Sequence, residues 1–145
     1  MSEVEVLYDK HVTLIGSGGS TDARLLGSQL PGTRYHYEYM VSVTRDERVL
    51  RGSSWNFYSA LVMIRRELEA DGLRPAVMGA LVNVHPSRMA LDMGGGMRAY
   101  YWESSPRPRT VDIFDEVPPA EYFRLASVEE QRAWFELRMS EGNAT

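Results

Sequence analysis

The chain of 145 residues contains no cysteine. That absence removes disulfide frameworks, thiolate metal sites and cysteine nucleophiles together. No apolar run approaches the roughly 20 residues that a membrane-spanning helix needs. The opening residues, Met1-Ser-Glu-Val-Glu5, are acidic and lack the basic-then-apolar pattern of a secretion signal, so a cytoplasmic location is expected. A basic excess is missing too, the formal net charge being −4. Phosphate backbones demand a basic footprint, so nucleic acid is not the expected partner. The run Gly16-Ser-Gly-Gly-Ser-Thr-Asp22 has no Gly-Lys-Ser/Thr ending and reads as a flexible connection rather than a phosphate loop. His11, His36 and His85 are widely separated, with no His-x-x-x-His pair, so no metal is expected, and no cofactor fingerprint appears.

What is present describes a soluble globular protein. Apolar residues make up 43% and charged residues 25%, and the length suits one domain with a proper core. Residues 4–15 read as an opening strand or hairpin. Residues 35–43 alternate strictly, with Tyr35, Tyr37, Tyr39, Val41 and Val43 on one face, the pattern of a half-buried antiparallel strand. Residues 45–48 are the turn and residues 49–51 begin the return strand.

Phe57, Leu61, Ile64 and Leu68 recur at helical spacing and predict a helix over residues 55–71. Ser53, Ser54 or Asn56 can cap its start, and Gly72 can end it. Arg65, Arg66, Glu67 and Glu69 read as its solvated face. Residues 76–84 are apolar on both sides apart from Asn83 and read as a central strand. A further strand is expected over 99–102 and a short strand or extended segment over 111–114, with a proline-broken loop between them. Ser127-Val-Glu-Glu130 is a capping box opening a second helix near residue 128, with Val128, Trp134, Phe135 and Met139 as its apolar side and a frayed tail from residue 140. The fold expected is α+β: a mostly antiparallel sheet of four to six strands, one long helix packed on a face, and a C-terminal helix.

The most distinctive stretch is Asn83-Val-His-Pro-Ser-Arg-Met-Ala-Leu-Asp-Met-Gly-Gly-Gly-Met-Arg-Ala-Tyr100. It gathers polar groups and three consecutive glycines between two strand-like segments, more than a plain connection requires. His85 and Ser87 can share a turn, with Arg88 and Asp92 in the same cluster, but the Gly-x-Ser-x-Gly elbow of a hydrolase nucleophile is missing. Ser87 fits a helix N-cap better. The glycines, with Arg88 and Arg98, could present N–H groups and charge to an anion, although positive φ alone explains them. Arg88 can pair with Asp92, while Asn83 and Asp92 can satisfy backbone N–H groups beside Pro86 and the glycines. An acidic group follows at Asp112, Asp115, Glu116 and Glu121, beside Tyr122 and Phe123.

With these segments placed, the chain resembles a family of small uncharacterised bacterial proteins. The resemblance runs over residues 52–138: Asn-Val-x-Pro-Ser-x-Met at 83–89, Met-Gly-x-Gly at 93–96, Ala-Tyr at 99–100, Val-Asp-Ile-Phe-Asp at 111–115, then Glu130-Gln131 with Trp134-Phe135. Such proteins are often encoded near toxin–immunity or other bacterial conflict genes. The resemblance implies a partner-binding or immunity role and carries no catalytic residues.

The function expected is therefore a non-enzymatic interaction module, in its sharper form a bacterial immunity protein whose partner is another protein, such as a toxin. The alternative is a small-ligand or nucleotide-binding domain, a hydrolase in one version, centred on residues 83–100. The candidate ligand- or partner-binding residues are Asn83, His85, Ser87, Arg88, Asp92, Gly94, Gly95, Gly96, Arg98, Asp112 and Asp115.

Overall fold

A computed structural model of the chain describes residues 4–31, 37–93, 95–103 and 107–143. Tyr35 and His36 of the expected strand, Gly94, and residues 104–106 of the expected loop lie outside the described residues.

Strands β1 (Glu5–Gly16), β2 (Gly19–Pro31), β3 (Tyr37–Arg45), β4 (Arg48–Ser54) and β5 (Leu73–Pro75) form one antiparallel sheet in the order β4-β3-β2-β1-β5. The connection expected at residues 16–22 is a tight hairpin: Gly16 pairs with Gly19, which sits at φ +125°. The strand β2, absent from the sequence reading, occupies the middle of the sheet. Its glycines, serines, aspartate and glutamine give it little intrinsic strand preference; pairing with β1 on one side and β3 on the other decides its conformation.

One face of this sheet buries Val12, Leu14, Ala23, Leu25, Val41 and Val43. Helix α1 (Phe57–Ala70) lies across it, burying Phe57, Ala60, Leu61, Ile64 and Leu68. Gly52 permits the close approach: a Cβ there would lie 2.5 Å from the Ala60 carbonyl oxygen. Asn56 caps the helix by accepting the Ser59 N–H at 2.7 Å, and Gly72 ends it at φ +74°. Tyr39, Val41 and Val43 face the core as expected, but Tyr37, at the first residue of β3, is exposed.

The second half of the chain is less regular. Strands β6 (Val84–His85), β7 (Arg98–Tyr101) and β8 (Arg109–Asp112) form a second antiparallel sheet, with helix α2 (Arg88–Met93) between β6 and β7. Helix α3 (Val128–Asn143) closes the chain, running past the expected fraying point. Its capping box forms as read: Ser127 N–H donates to Glu130 Oε1 at 2.8 Å and Glu130 N–H to Ser127 Oγ at 3.0 Å. Among the described residues no helix is long and apolar enough to cross a membrane.

The expected central strand over residues 76–84 does not form. It is a buried, irregular segment with a 3-10 turn at Met78–Ala80 and single bridges from Val77 to Glu116 and from Leu81 to Leu125. Buried backbone without a sheet ladder must find other partners. Here backbone groups of Thr13, Ile113, Asp115, Val117, Arg124 and Ala126 supply several, and Arg65 and Gln131 supply more. Arg65 donates to the Gly79 and Ala126 carbonyls, and Gln131 Nε2 donates to the carbonyls of Gly79, Leu81 and Val84 at 2.8–2.9 Å. Arg65 also donates to Gln131 Oε1 at 2.6 Å, which accepts a second bond from Tyr58. Arg65 is thus fully buried rather than part of the helix's solvated face, and Gln131 rather than Met139 fills the inner side of α3.

Candidate functional site

The signature stretch folds back over the start of α1. Gly95 and Gly96 take φ of +70° and +69°, and the Gly95 carbonyl accepts the Phe57 N–H at 2.7 Å. Gly96 N–H donates to the Ala90 carbonyl at 2.9 Å. A Cβ on Gly96 would lie 2.9 Å from Asn56, and one on Gly95 would lie 3.1 Å from the Tyr39 hydroxyl. The turn therefore offers the helix N-terminus a carbonyl oxygen, occupying the position where an anion would bind. Glycine is required here by backbone angle and close packing.

The polar residues around the turn are mostly engaged within the chain. Ser87 Oγ accepts the Ala90 N–H at 3.0 Å, the cap expected of it. Asn83 is buried and donates to the Trp102 carbonyl at 2.7 Å, so it satisfies a C=O rather than the N–H expected. Asn83 Oδ1 and Trp102 Nε1 are buried with no hydrogen-bond partner among the described residues. The His85 ring stacks flat on Phe135, centroids 3.7 Å apart, with Nδ1 at 3.0 Å from the Pro86 carbonyl oxygen. Burial holds its pKa below the ordinary histidine range, partly offset by the Pro86 contact.

Asp112 serves the fold: Oδ1 accepts the Phe114 N–H at 2.8 Å and Oδ2 accepts the Tyr8 hydroxyl at 2.7 Å. Burial and this carboxylate push the Tyr8 hydroxyl well above its ordinary range. Glu121 contacts the Tyr101 hydroxyl and pairs with Arg124 at 3.6 Å. The acidic group read after residue 111 is therefore divided, with only Asp115 and Glu116 left exposed among its four members. Arg88 and Asp92 are both exposed, and the expected ion pair between them is not among those of the described residues.

Two apolar residues that the sequence reading did not single out bracket the glycine turn. Trp55 is 68% exposed and adjoins Asn56, against which Gly96 packs. Met89 is 71% exposed and adjoins Ala90, whose carbonyl holds Gly96. Their exposure follows from tertiary placement and has no local signal. Arg65 and Gln131 did have one: each sits at three- and four-residue spacings from apolar neighbours, on the stripe that faces the core. Among the described residues no cluster of His, Asp and Glu is arranged to hold a metal ion. No protein-family model matches the chain, and no curated protein matches it.

Proposed function

We propose that the chain is a non-enzymatic protein–protein interaction module acting in the bacterial cytoplasm as an immunity protein, its partner a toxin. The immunity part rests on the resemblance of residues 52–138 to a conflict-associated family. The observation that carries the interaction reading is the exposure of Trp55 and Met89, at 68% and 71%, each next in sequence to a residue that contacts the Gly95–Gly96 turn. Tryptophan and methionine are enriched at interfaces, and tryptophan is a frequent hot spot because one rigid ring buries a large area. The backbone next to each is tied to the turn, through the Asn56 packing on Gly96 and the Ala90 carbonyl, which lowers the ordering cost of binding. Ser87, Asp112 and the Gly95 carbonyl are engaged internally, which weighs against the nucleotide or hydrolase alternative.

The test is affinity capture from the native cell lysate with the tagged full chain and with the Trp55→Ala/Met89→Ala double variant. Surface truncations of this kind change stability by only about 0.5 kcal/mol. The expected result is a discrete partner with toxin activity, retained by the parent and lost by the double variant. Equal retention by both, or stabilisation of the parent by nucleotides in a thermal-shift panel, overturns the reading.

A further inference from the structure

Arg98 and Asp112 face each other directly across the β7–β8 ladder, a position where opposite charges ordinarily pair. They do not pair here. The two Asp112 oxygens are taken by the Phe114 N–H and the Tyr8 hydroxyl. Arg98 has no carboxylate partner among the described residues. Among the described residues it is held through Nη2, which donates to the Thr110 carbonyl at 3.3 Å and hydroxyl at 3.2 Å. Arg98 lines a cavity of about 90 Å³ together with Ser87, Ala90, Ala99, Tyr100 and Thr110. Arg88, also exposed and without an ion pair among the described residues, follows Ser87 and opens α2.

We infer that this cavity is the receptor for an acidic side chain, Asp or Glu, projected by the protein partner. The inference rests on the partner-binding reading above and gives that partner its chemistry. The cavity is far below the roughly 300–1,000 Å³ of a small-molecule pocket, so a nucleotide does not fit, while the tip of one side chain does. The guanidinium fork matches a carboxylate bidentately. Ala90 and Ala99 suit the methylene that precedes a side-chain carboxylate, which inorganic phosphate lacks. Because the fold turns the nearest acid inward, the positive charge is available to a partner without first breaking an internal ion pair.

The test is a two-dimensional NMR titration of the full chain, following backbone amides and arginine Nε–H signals. The probes are N-acetyl-aspartate N-methylamide, its asparagine analogue and inorganic phosphate. The expected result is saturable shifts at Arg98 Nε–H and at the Ala99 and Thr110 amides with the aspartate probe and none with the asparagine probe. Arg98→Gln, its spectrum otherwise intact, should weaken the aspartate probe about tenfold, equivalent to about 1.4 kcal/mol. No saturable shift up to the probe's solubility, an equal response to the asparagine probe, unchanged affinity in the variant, or tighter binding of phosphate each overturns the inference. If the aspartate probe fails while Trp55→Ala/Met89→Ala still abolishes capture, only the acidic-side-chain receptor falls and the interaction module stands.

Discussion

The two halves of the molecule solve the same problem differently. In the five-stranded sheet and α1, backbone groups satisfy one another through regular ladders, and side chains are free to be simply apolar inside. From residue 76 to the start of α3, the backbone turns too often for ladders to suffice, and the gaps are filled by polar side chains reaching across the core. The difference shows why a buried arginine and a buried glutamine belong in a hydrophobic core: they complete the hydrogen bonding of an irregular segment that carries the exposed loop. A polar group removed from such a position leaves several orphans, whereas an apolar one in the regular half leaves a void.

The sharpest way to break this comparison is Gln131→Leu. It substitutes an apolar side chain of similar size, but removes the donor to the Val84 carbonyl, one of two donors at each of the Gly79 and Leu81 carbonyls, and the acceptor shared by Arg65 and Tyr58. At about 1–3 kcal/mol for each of the two groups left unsatisfied, the Val84 carbonyl and the Tyr58 hydroxyl, the expected loss is about 2–5 kcal/mol. Urea unfolding measures it, and amide exchange should quicken over residues 76–85 before the β2–β3 ladder. A small loss, or uniform exchange, would show that the network does not hold the second half together.

Gly95→Val probes the seam between the halves. A β-branched residue at φ +70° is strained, and its Cβ would crowd Tyr39. The expected cost is about 1–3 kcal/mol in thermal or denaturant unfolding. A variant as stable as the parent would mean that the turn does not need its positive φ.

The smallest effect concerns the contact between β6 and α3. Burial depresses the His85 pKa below its ordinary 6.5, so between the two values the unfolded chain binds the proton more readily than the folded one. His85 therefore costs nothing above about pH 6.5, and its penalty grows as pH falls below that value toward the folded pKa. Unfolding midpoints measured from pH 7.5 down to pH 5 should fall less steeply for His85→Phe than for the parent. Identical slopes would show that His85 is not sheltered beneath Phe135.

How much was legible follows the same division. The 57–70 helix, its Asn56 cap and its Gly72 stop, the capping box at Ser127 and the inward face of β3 all announce themselves through periodicity or local chemistry. The strand β2 did not, because its partners rather than its residues make it a strand. Residues 76–84 misled because a continuous apolar run reports burial and not conformation. Ser87 as a cap was readable from its neighbours, while the diversion of Asp112 away from Arg98 was not, since Tyr8 lies 104 positions away in sequence.

Local periodicity and capping chemistry determined that this is an α+β chain with an amphipathic helix on an antiparallel sheet, because those signals act over a few residues at a time. The tertiary structure alone decided which charged groups would be spent inside and which left outward: Arg65 buried against carbonyls, Asp112 bound to Tyr8, and Arg98 lining an open cavity. Those outcomes depend on hydrogen-bond partners brought together from distant parts of the chain, and no local rule of sequence encodes such a meeting.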